Sequence, residues 1–367
     1  MRHDLSLVAD RRKGLRAAEQ ENDVNGLAVI VVNYRTPDLS IACIAALEEA
    51  RGTFPGLRVV AVDGGSGDDS AARIAQAVAA NGWDEWVTPL PLAVNGGFAF
   101  ANNQAIALLA QKGALPAAIA LINPDARVRP GALAALAALL DREPRAGAVG
   151  ALLEHEDGRP QSSAFQFPSL RTEFCRGART RAIEWLLRMP PTSIESAHAI
   201  EAPWVTGAAV MLRTEALRGT GLFDDGFFLY FEETDLMRRL RRDGWSIWHE
   251  PAARVFHAGG AATRIRDPDT GLPLERRMPR YWYESHRRYF ALAGGRAMAI
   301  LAGMAFFAGR AIWRIRRLFS PKLDGGADRS GRDLLAYGWW PARHDGAPAV
   351  PPLDAGRQAA PSWMTRG

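Results

Sequence analysis

The run LAVIVV at Leu27–Val32 is wholly apolar and mostly β-branched, and the polar residues Asn33-Tyr34-Arg35 follow it directly. A short run of this kind is typical of a strand that is buried on both faces of a parallel sheet. The run LRVVAV at Leu57–Val62 repeats the pattern and ends at Asp63. Helical patterns follow the two runs, at about Asp38–Ala50 and Asp68–Ala80. This alternation predicts an α/β domain with a Rossmann-like, mostly parallel sheet flanked by helices.

The polar ends of these strands predict a ligand site, because open α/β sheets bind ligands at the carboxyl ends of their strands. Asn33, Arg35 and Asp63 lie at these ends, and Asp63 could accept hydrogen bonds from a base or a ribose. Taken alone, Asp63 could equally be a turn-forming residue before Gly64-Gly65. Neither strand is followed by G-x-G-x-x-G, and the chain has no G-x-x-x-x-G-K-[ST], which disfavours a nicotinamide dinucleotide fold and a P-loop.

The segment NGGFAFANN at Asn95–Asn103 opens a further helical pattern that runs through Leu109. Paired glycines, here Gly96 and Gly97, let the backbone approach a ligand closely. The helix N-terminus that follows them favours an anion. The alternative is a simple glycine turn with an asparagine cap.

The apolar run Ala118–Ile122 predicts another strand, and it ends at Asn123-Pro124-Asp125. The Asp125 carboxylate would then stand at a strand end beside the predicted nucleotide site. There it could hold a divalent cation together with phosphate oxygens and water. The alternative is an Asx turn before the helical pattern at Pro130–Leu140.

The segment GLFDDGFFLYFEETDLMRRLRR at Gly221–Arg242 places Glu232, Glu233 and Asp235 directly after an aromatic block. Apolar residues then recur at helical spacing between four arginines, so the acids should lie near a helix N-terminus. Carboxylates beside bulky apolar rings have raised pKa values and can accept protons in catalysis. The alternative is an ordinary helix with acids in its first turn and bases in its later turns.

The pattern between Val149 and Pro203 is weaker, and the basic stretch Arg171–Arg188 suggests an insertion on the acceptor side. Two short strands are predicted at Trp245–Trp248 and Ala253–Phe256. The second ends at His257, where a further metal ligand would be needed. Arg264 and Arg266 follow and could contact phosphates.

The positive charge of the chain is concentrated in one C-terminal segment. The net charge is +5, yet Ser285–Leu323 contains no Asp or Glu and eight basic residues, so the rest of the chain is slightly acidic. This distribution argues against a nucleic-acid partner. The basic residues are Arg287, Arg288, Arg296, Arg310, Arg314, Arg316, Arg317 and Lys322.

The apolar part of this segment, Tyr289–Ile312, is interrupted by charge, and its longest clean run, Ala297–Ala308, is short for a span of about 20 residues. At 100° per residue, Arg296, Arg310, Arg314 and Arg317 fall on one side of a helix. We therefore expect residues 280–322 to form a basic amphipathic helical segment on an anionic membrane surface. The alternative is a pair of helices packed on the domain.

The ordered set VVNYR, VDGGS, NGGFAFANN, NPD, GLFDDGFFLYFEETDL and VFH, over about Leu27–Arg266, resembles the bacterial family 2 glycosyltransferases, especially the rhamnosyltransferase-like branch. The resemblance implies a GT-A fold, a nucleoside-diphosphate-sugar donor, Mg²⁺ or Mn²⁺, and inversion at the anomeric carbon. One departure is Gly64 in VDGGS, where the family usually has Asn.

The resemblance also implies a role for each matched residue. Glu233 would be the catalytic base, supported on the acceptor side by Glu232 and Asp235. Asp125 and His257 would hold the metal. The donor would be bound by Asn33, Arg35, Asp63, Asn95, Gly96, Gly97, Phe98, Asn102, Asn103, Asn123 and Asp125.

The implied organisation is a polar tail at 1–25, a GT-A domain at 26–270, the basic helical segment at 280–322 and a C-terminal tail at 323–367. Residues 26–130 would form the nucleotide-sugar half of the domain and residues 131–270 the acceptor and catalytic half. The acceptor would be a glycan or a lipid-linked glycan in cell-surface polysaccharide synthesis. We expect no signal peptide, and Cys43 and Cys175 are too far apart for a metal or redox motif. We therefore expect a cytoplasmic enzyme, peripheral on the inner face of the cell membrane.

Two other functions remain open at this level. A sugar-nucleotide nucleotidyltransferase would normally carry a glycine-rich loop with basic residues after its first strand, where this chain has NYRTPD. A non-catalytic module that binds nucleotides or glycans would have no need for Glu233 and Asp125 together.

Overall fold

A computed structural model describes residues 26–113, 115–259, 278–319, 330–340, 342 and 345–365. Arg264 and Arg266, the predicted phosphate contacts, lie outside the described residues, as does the predicted N-terminal tail. Within them the centre of the molecule is a mixed ten-stranded sheet, whose main path has the order β3-β2-β1-β4-β11-β6-β12-β5. The strands are β1 Leu27–Asn33, β2 Arg58–Asp63, β3 Val87–Pro91, β4 Ala118–Ile122, β5 Ala126–Val128, β6 Ala146–Glu154, β7 Pro160–Gln161, β8 Ala164–Phe165, β9 Ile200–Glu201, β10 Trp204–Val205, β11 Ala209–Arg213 and β12 Ser246–His257.

Helices pack on both faces of this sheet. The helices of the described chain are α1 Pro37–Ala45, α2 Ser70–Ala80, α3 Gly97–Gln111, α4 Ala132–Arg142, α5 Leu170–Ala178, α6 Arg181–Leu186, α7 Thr214–Thr220, α8 Glu232–Arg242, α9 Arg280–Phe319, α10 Ser330–Asp333 and α11 Ser362–Thr365, with a 3₁₀ turn at Glu48–Gly52 and a π-helical turn at Leu334–Gly338. The helix predicted at Asp38–Ala50 is therefore shorter than expected, because its last turns become the 3₁₀ turn.

The first half of the sheet confirms the parallel arrangement that the apolar runs predict. β1 pairs in parallel with β2 and β4, and Asn33 stands directly beside Asp63 in this register. Successive residues of β1 point to opposite faces, so Val29 and Ile30 enter two separate cores. Burial of each such side chain contributes about 1.5–3 kcal/mol to the free energy of unfolding. This double burial explains why the run lacks polar residues.

The second half of the sheet is mixed. β11 runs antiparallel between β4 and β6, and β12 runs parallel to β6. The two short strands predicted at the end of the domain form one strand, β12, which is interrupted by an irregularity between Glu250 and Arg254. β12 also pairs antiparallel with β5, and this pairing brings His257 opposite Ala126.

The helix α9 packs chiefly on α5 and is bent at Gly294 and Gly295, where the backbone leaves helical geometry. Its second half crosses α5 so closely that a Cβ at Gly309 would overlap the Phe174 carbonyl oxygen. Arg310, which was predicted on the same helix face as Arg296, Arg314 and Arg317, is instead buried, with its guanidinium 3.9 Å from the Trp313 ring centroid. Among the described residues, this helix is the one long and apolar enough to span a membrane, by length and composition only, and 33% of its most apolar part is buried.

The segment 345–365, which was predicted as part of a tail, packs back onto the domain. The Leu222 N–H donates to Pro351 O at 3.0 Å, and the Asp225 N–H donates to Ala349 O at 2.9 Å. These bonds tie the end of the described chain to the loop that precedes the acidic helix α8.

Candidate active site

A cavity of about 620 Å³ lies at the carboxyl ends of β1 and β4, in front of the N-terminus of α8. The position agrees with the rule that open α/β sheets bind ligands at strand carboxyl ends. Residues from the whole length of the domain and from α9 line it. They are Val32, Asn33, Tyr34, Gly64, Asn95, Gly97, Phe98, Asn123, Pro124, Asp125, Thr206, Gly207, Ala208, Phe228, Leu229, Tyr230, Glu232, Glu233, His257 and Tyr281.

The ends of β1 and β2 are joined by a buried hydrogen-bond network. The Asn33 amide donates to Asp63 Oδ1 at 2.8 Å, and the Ser66 hydroxyl donates to the same oxygen at 2.6 Å. Asn33 and Gly64 line the cavity, whereas Asp63 and Arg35 are not among the lining residues. Arg35 turns back in a left-handed conformation (φ 57°), and its Nε donates to Ser66 O at 3.0 Å. Asp63 and Arg35 therefore hold the strand ends in place.

The glycine pair lets α3 begin against the aromatic segment before α8. Gly97 has φ 87°, and a Cβ there would overlap the Phe228 carbonyl oxygen. The next N–H, of Phe98, donates to that same oxygen at 2.9 Å. Asn95, Gly97 and Phe98 line the cavity, and Gly96 instead packs on the Phe100 ring. The close approach that the glycines permit is therefore to the protein's own backbone.

Asn102 and Asn103, predicted to contact the donor, are not among the lining residues. The Asn102 amide donates to Phe98 O in its own helix at 2.8 Å. Asn103 donates to Phe223 O at 2.9 Å and accepts from the Phe223 N–H at 3.1 Å. Both side chains are buried, and Asn103 anchors the loop that leads to α8.

The structure brings together the two predicted metal ligands, Asp125 and His257, and the predicted donor-binding residue Asn123. His257 Nε2 lies 3.4 Å from Asp125 Oδ1 and 3.4 Å from the Asn123 amide nitrogen. The pairing of β12 with β5 creates this contact, because it fixes His257 beside the residue that follows Asp125. No group of three His, Cys, Asp or Glu side chains that could hold a metal occurs among the described residues. The protein could thus supply two such ligands here, which leaves the others to substrate or water.

The two glutamates at the start of α8 occupy the same cavity. Tyr230 and Phe231, directly before them, have φ values of 70° and 69°. Bulky residues in the left-handed region are strained, by about 1–3 kcal/mol each, and such strain clusters at functional sites. The sharp turn delivers both carboxylates into the cavity rather than along the helix surface.

Both glutamates are poorly solvated. Within the described residues, the Oε2 atoms of Glu232 and Glu233 are buried without a hydrogen-bond partner, and the Gly207 N–H approaches Glu233 Oε1 at 3.5 Å. Burial, with the Glu233 charge as a second cause, raises the pKa of Glu232 well above its ordinary value. Burial also raises the pKa of Glu233. A carboxylate pair of this kind can exchange a proton with a bound substrate.

Asp235 does not reach the cavity. Its two carboxylate oxygens accept from Arg238 at 2.6 Å and from Arg239 at 2.8 Å. The Arg239 guanidinium also donates a hydrogen bond to Leu222 O at 2.7 Å. Asp235 therefore ties α8 to the preceding loop, a supporting role without contact to the cavity.

A buried ion pair, not predicted from the sequence, fixes the start of the same loop. Arg288 of α9 donates to Asp224 Oδ1 at 2.6 Å, and both side chains are buried. The Ala349 N–H donates to Asp224 Oδ2 at 3.1 Å. A Cβ at Gly226 would overlap the Arg288 guanidinium, which explains the glycine in the sequence. The loop before α8, helix α9 and the C-terminal segment therefore all contact the Asp224 carboxylate.

The sequence analysis also missed several lining residues: Tyr34, Thr206–Ala208, Phe228–Tyr230 and Tyr281. For Tyr281 the one available signal was the density of aromatic residues in YWYESHRRYF at Tyr281–Phe290.

Comparison with known proteins identifies a family and a relative of this chain. The model of the glycosyltransferase-like family 2 matches residues 25–285. An N-acetylglucosaminyl-diphospho-decaprenol L-rhamnosyltransferase of Mycobacterium tuberculosis is 33% identical over 195 residues, which are 50% of this chain and 62% of that relative. The chain thus spans about three fifths of that relative's length.

Two solved structures are similar in fold at low sequence identity. One is GalNAc-T7 with UDP, GalNAc and Mn²⁺, with a TM-score of 0.51 and 13% identity, covering 86% of this chain and 55% of the other. The second is the mannosyltransferase PcManGT of Pyrobaculum calidifontis with GDP-Man and Mn²⁺, with a TM-score of 0.50 and 17% identity, covering 85% and 79%.

Proposed function

Because the chain belongs to the glycosyltransferase-like family 2, we propose that it is an inverting glycosyltransferase that uses a nucleoside-diphosphate-sugar donor. Its fold is the GT-A fold predicted from the sequence. The proposal rests chiefly on one observation. The cavity that contains Asp125 and His257 also contains Glu232 and Glu233, whose pKa values are raised by burial.

The proposed donor is a deoxythymidine- or uridine-diphosphate sugar with rhamnose as the sugar, and the proposed acceptor is a lipid-linked glycan in cell-surface polysaccharide synthesis. The relative from Mycobacterium tuberculosis supports the choice of sugar and acceptor, since it is an N-acetylglucosaminyl-diphospho-decaprenol L-rhamnosyltransferase. The proposed location is the cytoplasmic face of the cell membrane, where such an acceptor would be accessible.

The side chains of Asp125 and His257 are suited to bind a divalent cation, Mg²⁺ or Mn²⁺. Asp125 offers a hard carboxylate oxygen, and His257 offers an imidazole nitrogen 3.4 Å away. Magnesium is commonly bound through one or two carboxylates plus substrate phosphates rather than by a full protein cage. When bound, the cation would neutralise charge on the leaving diphosphate. The Asn123 amide nitrogen lies 3.4 Å from the same imidazole nitrogen, and a bond from it would give way when the cation binds there.

The remaining chemistry falls to the glutamate pair. The acceptor oxygen forms the new bond to the anomeric carbon, and its proton passes to the Glu233 carboxylate. The bond from that carbon to the diphosphate oxygen breaks, and its electron pair leaves with the nucleoside diphosphate. Burial and the Glu233 charge raise the pKa of Glu232 well above its ordinary value, which favours its neutral form. The Gly207 N–H favours the charged form of Glu233, and we assign Glu233 as the base.

The membrane contact is proposed for the second half of α9. Leu301 and Met304 are three residues apart, as are Ile315 and Leu318, and the step of eleven residues from Met304 to Ile315 is about three helical turns, so all four lie on one side of the helix. They are 44%, 53%, 56% and 79% exposed. The exposed residues Arg296, Arg314 and Arg317 lie along the same half of the helix. An apolar stripe with arginines and no acids suits a monolayer that contains anionic lipid.

Sedimentation with vesicles tests this contact. Leu301→Glu combined with Ile315→Glu should abolish sedimentation with phosphatidylglycerol vesicles, because two carboxylates would enter the lipid surface. The matched control is Leu39→Glu, at an apolar residue of α1 that is 36% exposed. Sedimentation of the double variant at the wild-type level would refute the assignment of this stripe.

The reaction class is tested by product analysis. A thermal-shift screen of nucleotide sugars with Mn²⁺ identifies the donor, because a bound donor stabilises the fold by mass action. We expect the full chain then to release nucleoside diphosphate. Release of pyrophosphate would indicate a nucleotidyltransferase, and binding without any turnover would indicate a non-catalytic module.

A further inference from the structure

The cavity has two walls of different chemistry. The residues at the ends of β1, β4 and β12 form a polar wall, which includes Asn33, Asn123, Asp125 and His257. A second part of the lining, called the aromatic wall below, comes from Phe228, Tyr230 and Tyr281. The rings of Tyr230 and Tyr281 are stacked, with centroids 6.1 Å apart and an interplanar angle of 18°. The Phe228 ring packs on the Tyr281 ring at a tilt, with centroids 5.3 Å apart and an interplanar angle of 58°.

The stacked pair depends on a strained backbone. Tyr230 has φ 70°, a conformation that an aromatic residue adopts only when its surroundings enforce it. Two residues later the chain reaches Glu232, so the same turn places the ring on one wall and the carboxylates beside it. Neighbouring rings serve the packing of α9: Phe231 contacts Trp282 at 5.6 Å and Tyr289 at 5.6 Å, and none of these three lines the cavity. Tyr230 and Tyr281, by contrast, line the cavity.

We propose that Tyr230 and Tyr281 form the subsite that binds a sugar ring of the acceptor. One face of a pyranose ring presents C–H groups, which pack on an aromatic ring, while its hydroxyl groups point outward at the edge. A ring seated on this wall would present a hydroxyl to Glu233, which needs that oxygen within about 2.6–3.2 Å. The assignment rests on the proposed function, and it adds the chemical class that this wall recognises.

The position of Tyr281 in the chain favours the acceptor over the donor as the occupant. Tyr281 stands at the start of α9, and the same helix carries the exposed apolar stripe that includes Leu301 and Met304. An acceptor glycan joined to a membrane lipid would therefore meet one element along both its lipid and its sugar. The donor diphosphate is instead suited to the polar wall, where Asp125 and His257 lie.

Kinetics with a short-chain N-acetylglucosaminyl diphospho-lipid as acceptor and deoxythymidine-diphospho-rhamnose as donor test the subsite. Tyr281→Leu should raise the KM for the acceptor about tenfold, the scale of one lost aromatic contact together with its buried area. The donor KM and donor hydrolysis without acceptor should stay at wild-type values. Tyr281→Phe should restore the acceptor KM, because it keeps the ring face. Trp363→Leu is the matched control. The Trp363 and Phe228 ring centroids are 6.2 Å apart, but Trp363 does not line the cavity.

A fluorescence titration with the same diphospho-lipid measures binding apart from turnover. About tenfold weaker binding by Tyr281→Leu than by the wild type supports the subsite. Equal binding by the two proteins overturns it, as does a Tyr281→Phe variant no better than Tyr281→Leu. A fall in donor affinity with an unchanged acceptor KM would also overturn it, because the ring would then contact the donor rather than the acceptor. Failure of the proposed function would show itself differently, as wild-type protein that binds the lipid but releases no nucleoside diphosphate.

Discussion

Replacing Glu233 with glutamine should remove the base without changing the shape of the cavity. The Gly207 N–H, 3.5 Å from Glu233 Oε1, can still approach the amide oxygen, and Glu232 stays in place. General-base catalysis contributes about 10²–10⁴ in rate, so kcat should fall by that factor. This corresponds to about 2.7–5.4 kcal/mol of lost transition-state stabilisation, at 1.36 kcal/mol for each tenfold change.

The comparison with Glu232→Gln sharpens this prediction. Burial and the Glu233 charge raise the pKa of Glu232 well above its ordinary value, which favours the neutral acid. Glutamine imitates a neutral carboxylic acid, and kcat should therefore fall far less than in Glu233→Gln. For the wild type, kcat should fall as pH drops through the raised pKa of Glu233, because a base acts only when deprotonated.

Steady-state transfer under saturating donor and acceptor is the assay, and donor binding by thermal shift is its companion. Donor binding should be nearly unchanged in Glu233→Gln, because the base contacts the acceptor. Wild-type turnover in Glu233→Gln would refute the assignment. A loss of donor binding as complete as that expected for the Asp125 variant would refute it as well.

Three further outcomes follow from the contacts described above. Asp125→Ala and His257→Ala should each lower turnover about 100-fold and remove the Mn²⁺-dependent part of donor stabilisation in thermal shift, while the melting temperature without ligand stays near wild type; near-normal turnover at low metal would show that the residue is not a ligand. Arg288→Ala should lower the free energy of unfolding by about 3–5 kcal/mol in urea titration, because it leaves a buried carboxylate unpaired, and Arg280→Ala, which breaks an exposed pair, by less than about 1 kcal/mol. Equal effects of these two variants would contradict the buried pairing. Gly97→Ala should lower turnover and the melting temperature together, because its Cβ overlaps backbone at a positive φ; an unchanged melting temperature would contradict that geometry.

The fold could be predicted from the sequence where one element carries its own signal. The run at Leu27–Val32 is buried on both faces, and such burial leaves an unbroken apolar pattern. The placement of Asp125 and His257 at the cavity was likewise predictable, because each lies just after a predicted strand and strand ends converge at one edge of a sheet. The strand predicted at Ala118–Ile122 has those bounds in the structure.

The remaining parts of the site depend on contacts that no local pattern encodes. Asn103 has the residue type of a ligand contact, yet its partner, Phe223, is 120 residues away. Tyr281 reaches the cavity because α9 packs beside the strained turn at Tyr230, and neither helical period nor composition indicates that packing. Arg288 was predicted as one of the basic residues of the membrane segment, but it is buried in an ion pair with Asp224, a carboxylate on a distant loop.

The anomeric configuration of the transferred sugar tests the central claim most directly. Direct displacement by an acceptor oxygen, with Glu233 as the base, forms the new bond on the face opposite the departing diphosphate. NMR of the isolated product should therefore show the transferred sugar in the configuration opposite to that in the donor. Retention of the donor configuration would contradict a single displacement in this cavity.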